Sequence, residues 1–237
     1  DLLRDRVQGM GVDVVLATMP GESDSTLLRT LLAQLQTSVL SYTDPEQREA
    51  TRASTRDRLW KIARASEPGT DAQLQLVSAA CALTTAGDDV TAVRALLDGT
   101  EVLDGLTVDF EMRWTLLTAL AAAGEADDAQ IDAELASEDT ATGRERAARA
   151  KAARPTVQAK EAAWAAAVEG SGLPNAVVDA IGQGFSRPGT PADLLRPYVE
   201  RYHCMLDTVE ERGSHALVES VVYGFYPRPL VDRDLHD

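Results

Sequence analysis

Apolar residues in this chain recur at three- and four-residue steps almost from end to end, and Gly, Pro and acidic residues stand between the runs. Such spacing lines one face of an α-helix and suits no half-buried strand, which needs alternation. The composition agrees. Alanine, the strongest helix former, supplies 37 of the 237 residues, whereas Phe, Trp and Tyr together make 5%. The fold class is therefore read as all-α, with helices small enough at their faces to pack closely.

The breaks give the order of elements. Asp24 caps a helix through about Leu40, with Leu27, Leu28, Leu31, Leu32 and Leu35 on one face. Asp44-Pro45 opens the next, because Pro at the first helical position needs no N–H. That helix turns Leu59, Trp60 and Ile62 inward and stops near Glu67-Pro68-Gly69. A helix from Asp71 carries Leu74, Leu76, Val77 and Leu83 and ends at Gly87, and a short one runs from Asp88 or Asp89 to Leu97. Asp109 to Ala123 is helical, Gly124 ends it, and Asp127 opens a short partner over Ile131 to Leu135. The stops Gly87 and Gly124 lie 37 residues apart, each between a long Ala/Leu-rich helix and a short acid-capped one. This spacing predicts a degenerate repeat of helical hairpins, in the period range of stacked α-solenoids. Further on, the pattern predicts helices over Thr140–Ala153, Pro155–Glu169 and Thr190–Val209. The stretch holding Gly182, Gly184, Pro188, Gly189 and Pro191 reads as an irregular joint, and Gly213, Gly224 and Pro227 as punctuation near the end. No linker is long or polar enough to mark a boundary, so residues 1–237 read as a single helical-repeat domain.

Charge narrows the partners. Asp and Glu outnumber Lys and Arg by 38 to 23, a formal charge of −15. Such a surface repels nucleic-acid phosphates and anionic membranes. No apolar run approaches the roughly 20 residues of a membrane-spanning helix. Two cysteines, Cys81 and Cys204, make neither a disulfide framework nor a four-Cys zinc site, and a reducing, cytoplasmic setting is expected.

Catalytic signatures are missing. There is no H-E-x-x-H, no G-x-S-x-G, no phosphate loop and no G-x-G-x-x-G beyond the short Gly182-Gln183-Gly184. His203 and Cys204 are adjacent and so point to different helix faces, which suits a surface His beside a core Cys better than a metal site. The pairs Asp88/Asp89 and Asp127/Asp128 fall at helix starts, where carboxylates complement the macrodipole. One basic cluster breaks the acidic pattern: Arg144, Arg146, Arg149, Lys151 and Arg154. Cations there can close a helix C-terminus, or they can hold an anion through the paired donors of Arg.

Several stretches resemble the C-terminal helical domain of zinc-dependent aminopeptidase N, in its high-GC bacterial branch. They include Leu32-Ala33-Gln34-Leu35, Tyr42-Thr43-Asp44-Pro45-Glu46-Gln47-Arg48, Pro68-Gly69-Thr70-Asp71 and Gly105-Leu106-Thr107-Val108-Asp109. Arg113-Trp114, Ala152-Ala153-Arg154-Pro155-Thr156, Lys160 with Ala163-Trp164, Leu173-Pro174-Asn175, Gly184-Phe185 and Pro197-Tyr198 continue the series in order. The resemblance implies an all-α, HEAT- or armadillo-like α-solenoid of antiparallel helical hairpins that caps the chamber in which a separate zinc domain trims peptides. The zinc and the catalytic motifs of that family belong to other parts of the polypeptide, so this chain is expected to hold no catalytic residue, no metal and no cofactor. Arg149-Ala150-Lys151-Ala152-Ala153-Arg154-Pro155 is further similar to a stretch of leukotriene A4 hydrolase, where an Arg and a Lys two apart recognise a substrate carboxylate. That implies substrate contacts for Arg149 and Lys151, with Arg154 as the Arg before Pro. Arg113-Trp114 on the Asp109 helix is a further candidate for the concave face, although Trp114 is read first as a core residue.

The expected function is a non-catalytic C-terminal domain of an aminopeptidase N, a fragment of a larger polypeptide that caps the active-site chamber and helps select peptides. Its partners would be the catalytic domain and the peptide substrate, and a dimer of the isolated fragment, formed through the surface meant for the missing domains, is a further expectation. The rival readings are an autonomous α-solenoid adaptor for a protein partner and a stand-alone helical enzyme with an unrecognised site.

Overall fold

A computed structural model describes residues 12–19, 24–170, 172–209 and 214–227, together with Leu230. Every regular element among the described residues is helical. The chain divides into two compact units, one formed by Asp1–Thr84 with Asp88–Leu116 and the other by Thr85–Gly87 with Leu117–Asp237. Gly213 and His236 lie outside the described residues.

In the first unit a short helix α1 (residues 12–18) precedes α2 (Ser25–Thr37), which widens into a π-turn over Ser38–Tyr42. Then follow α3 (Pro45–Ala65), α4 (Asp71–Ala82), α5 (Thr91–Leu97) and the start of α6 (Phe110–Ala123). The caps behave as their side chains dictate. The Asp24 carboxylate accepts from the backbone N–H of Thr26 and Leu27 at 2.8 and 3.0 Å, and Asp44 accepts from Glu46 at 2.8 Å ahead of Pro45. Helices α2 and α3 both pack on α4. Their buried residues repeat at helical steps: Leu28, Leu32 and Leu35 on α2, Leu59 and Ala63 on α3, Leu76, Val77 and Ala80 on α4.

Two leucines expected inside are not. Leu27 and Leu74 are 46% and 40% exposed. The buried stripe of each helix is narrower than the run of leucines, and on α4 it passes through Gln73. The amide of Gln73 is buried because it spans two backbones, accepting from Gly69 N–H at 3.1 Å and donating to Asp104 C=O at 3.0 Å. Helix α4 also stops at Ala82, before Gly87.

Asp88 departs further from its expected role as a helix-start carboxylate. It turns inward, and only Asp89 serves α5, accepting from Thr91 N–H at 3.0 Å. Asp88 takes two parallel hydrogen bonds from Arg52, each 2.8 Å, and also pairs with Arg56. Arg52 is 1% exposed and donates as well to Glu49 and to Leu83 C=O. Burial alone would lower the Arg52 pKa, but the bonds to Glu49 and Asp88 carry it above its ordinary value. A bidentate Arg–carboxylate pair thereby ties the α4–α5 connection to α3.

The second unit holds α7 (Asp128–Ser137), α8 (Ala141–Ala153), α9 (Val157–Trp164, extended by a π-turn over Ala165–Glu169) and α10 (Asn175–Phe185). The short α11 (Ala192–Leu195), α12 (Pro197–Leu206) and α13 (His215–Phe225) complete it. Asp127 and Gln130 form a reciprocal capping box at α7. Trp164, Phe185, Tyr198 and Phe225 pack ring against ring at centroid distances of 4.9–6.1 Å, the centre of the core. Few aromatics occur in this chain, and the second unit gathers four of them at one point.

The expected irregular joint at Gly182 and Gly184 is instead the interior of α10. Helix α10 packs on both α8 and α13. A Cβ on Gly182 would sit 2.7 Å from Gly224 Cα on α13, and one on Gly184 would sit 2.2 Å from the Arg149 carbonyl on α8. Glycine is there for backbone approach, not for a turn. The α10–α13 crossing is further tied by the Ser186 hydroxyl, which donates to Gly224 C=O at 2.8 Å. Gly182→Ala is expected to destabilise by about 1–3 kcal/mol, since forced separation of two backbones outweighs the roughly 0.5–1 kcal/mol that alanine gains in helix propensity. Urea unfolding of the variant checks it, and a variant as stable as the parent would mean that the crossing is loose.

Lys160 is fully buried on α9, in phase with Ala163, Trp164 and Ala167. Its ammonium donates to Ala152 C=O at 2.6 Å, Phe185 C=O at 3.1 Å and Gly184 C=O at 3.4 Å. These are last-turn carbonyls of α8 and α10, which have no N–H four residues on within the helix to pair with; Gly184 C=O also accepts from Arg187 N–H at 3.4 Å. Burial, and secondarily the charge of Arg187, push its pKa down to about 7.

Candidate functional site

The basic cluster lies along α8, whose start is fixed by the Thr140 hydroxyl accepting from Gly143 N–H at 3.0 Å. Most of its cations have carboxylate partners that sequence spacing did not reveal. Arg144 bonds Asp139 through Nε at 2.7 Å and Nη2 at 3.0 Å. Lys151 Nζ is 2.6 Å from Asp132, and Arg154 Nη1 is 2.7 Å from Asp128. Asp128 and Asp132 stand one turn apart on α7, so α7 presents an acidic ladder to the C-terminal half of α8. These acids are more than half exposed, and such pairs contribute about 0–1 kcal/mol each. They are weak enough to open for a competing anion, but at rest Lys151 and Arg154 are matched.

Arg149 is placed differently. Its side chain is half-buried, and its Nε is buried with no hydrogen-bond partner. No carboxylate among the described residues pairs with it. Burial lowers its pKa, and the like charge of Arg146 adds to the effect. A guanidinium that is desolvated and faces a second cation is the group of this cluster with most to gain from an incoming anion. Of the three residues expected at the site, the structure thus separates one uncommitted cation, Arg149, from two paired ones.

The ERAP1-like C-terminal domain family matches residues 11–236, nearly the whole chain. The chain belongs to that family. It is also 37% identical over 224 residues to an aminopeptidase N of Streptomyces lividans, an alignment that covers 94% of this chain and 26% of the relative. The chain therefore spans about a quarter of that relative's length.

The remaining candidates of this ERAP1-like C-terminal domain are placed as follows. Trp114 is 1% exposed and stacks edge-on against Phe110 at 6.4 Å, a core residue. Arg113 donates to Leu97 C=O at 3.3 Å. His203 is exposed, and so is Cys204, which was expected in the core; only Cys81 is buried. Residue 204 falls between the buried Tyr202 and Met205 of α12, on the side turned to a surface cleft. Among the described residues no three His, Cys, Asp or Glu side chains converge to hold a metal ion, so they do not fit the zinc of the aminopeptidase family. No helix among the described residues is long and apolar enough to cross a membrane.

Sequence reasoning missed Lys160 and Asp88 as buried ions. A signal was available for Lys160, since it shares the three- and four-residue phase of Ala163, Trp164 and Ala167. Asp88 offered none, because its partners lie a helix away.

Proposed function

We propose that this chain is the non-catalytic C-terminal domain of an aminopeptidase N, that it covers the chamber of a zinc-bearing catalytic domain in the same polypeptide, and that it helps select peptides. The observation that carries the reading is the alignment: nearly all of this chain matches only a quarter of a relative named aminopeptidase N. Residues 1–237 act as one functional domain, its hairpins stacked as a HEAT- or armadillo-like array. Metal-assisted hydrolysis belongs to the remainder of the parent. An exposed free thiol, Cys204, suits a cytoplasmic setting. In isolation the domain pairs with itself through the face that the parent would cover.

Within this reading Arg149 contacts a negative group of the peptide, its C-terminal carboxylate or an acidic side chain. Lys151 and Arg154 join when Asp132 and Asp128 release them. In the full-length parent, Arg149→Ala is expected to raise KM about 5- to 50-fold for peptides with a free C-terminal carboxylate, and to leave C-terminally amidated peptides nearly unchanged. Steady-state kinetics on the matched pair of substrates checks this. Equal loss on both would assign Arg149 to packing, and full activity of the isolated 237-residue chain on aminoacyl substrates would overturn the reading as a whole.

A further inference from the structure

We propose that the cleft beside α9 and α12 is a binding site for a cationic peptide side chain, lysine or arginine, held on the carboxylate of Glu169. The proposal is independent of the Arg149 reading and concerns the opposite charge. The cleft is shallow and open, about 580 Å³ in volume, and is lined by the apolar Trp164, Val168 and Met205 and by Glu169, Arg201 and Thr208.

The protein's own cation shows what this wall accepts. The Arg201 guanidinium carbon lies 5.0 Å from the Trp164 ring centroid and 4.9 Å from that of Tyr198. It bonds Glu161 at 2.8 and 3.2 Å and Glu169 at 2.7 Å. Aromatic faces combined with carboxylates are the chemistry that recognises ammonium and guanidinium groups. The arginine lowers the Glu161 pKa, and the Tyr198 hydroxyl, donating to Glu161 at 2.9 Å, adds to this.

The cluster is not neutralised by its own arginine, since two carboxylates face one guanidinium. Glu169 receives both of its hydrogen bonds on Oε1, from Trp164 Nε1 at 3.1 Å and from Arg201 Nη2. Its Oε2 accepts none among the described residues, and the side chain is 55% exposed at the cleft. A second cation there would complete the charge balance. An anionic ligand meets both carboxylates and the −15 charge of the chain, so charge complementarity selects the basic side chain.

The test is an NMR titration of the 237-residue chain with N-acetyl-lysine methylamide and N-acetyl-arginine methylamide. The reporter is the indole N–H of Trp164, which is bonded to Glu169. A saturable shift with a Kd of about 1–10 mM is expected for both cations, and none for N-acetyl-glutamate methylamide. Glu169→Gln, which keeps the acceptor for Trp164 and removes the charge, should weaken binding at least about fivefold. Should that variant fold poorly, the parent chain alone decides: raising salt from about 20 to 300 mM should weaken binding roughly threefold or more. No saturable shift, an equal shift with the glutamate probe, unchanged affinity in Glu169→Gln or salt-independent binding would each overturn the proposal.

Discussion

Replacing Asp88 with alanine is expected to destabilise the first unit by about 3–5 kcal/mol, among the largest losses a single substitution causes in this chain. The reason is the burial of its partners. Arg52 is 1% and Arg56 8% exposed, and Asp88 is the shared carboxylate between them. Removing it leaves two guanidinium groups out of water beside each other. Glu49 and Asp57 remain, but at 72% and 66% side-chain exposure they are solvated and screen poorly inside. A control separates charge from shape. Replacing Arg52, Arg56 and Asp88 together by methionine, methionine and leucine should recover most of the loss, because the desolvation cost of the ions goes with them. Urea denaturation of the single and triple variants measures both. An Asp88→Ala loss below about 1 kcal/mol would mean that water reaches the arginines.

The second large effect is expected at Lys160 and depends on pH. Lys160→Met keeps the volume of the side chain but leaves the Ala152 and Phe185 carbonyls without their lysine donor, whereas Gly184 C=O keeps the Arg187 N–H at 3.4 Å. Each unsatisfied buried carbonyl costs roughly 1–3 kcal/mol, and at pH 9, where the neutral amine keeps two N–H donors, losing them should cost about 2–4 kcal/mol after local relaxation. The folded pKa of about 7 lies below the free value of 10.5. Between these values the unfolded chain binds the extra proton, so stability from this group rises with pH from about 7 to 10.5 and is lowest below 7. The gap between parent and Lys160→Met should therefore be wider at pH 9 than at pH 6, and the difference of the two curves removes the other groups that titrate there. A gap that stays constant across that range would show that the three carbonyls, which match the three N–H groups of an ammonium, hold the proton against burial.

Much of this protein was legible before its structure because helices are written locally. Hydrogen bonds four residues apart, caps such as Asp24, Asp44 and Asp127, and the positive φ of Gly124 after α6 all depend on neighbours in sequence. The helices from α2 to α9 began and ended within a few residues of the expected points. The site was legible only in part. The run of Arg and Lys on α8 located it, but its acids on α7 and the isolation of Arg149 depend on how one helix faces another.

What the sequence by itself determined was the all-α class, the order of the helices as far as α9 and the family; α10 and α13 were not anticipated. What only the tertiary structure decided was the meaning of residues whose partners are remote. Asp88 meets Arg52 across 36 positions, Lys160 meets Gly184 across 24 and Arg201 meets Glu161 across 40. Gly182 and Gly184 read as breakers until another backbone is brought against them. The physical reason is the same in each case. A cap or a stop lowers the free energy of its own turn, whereas a buried ion or a close backbone approach is favourable only in the company of a particular partner, and packing supplies that partner.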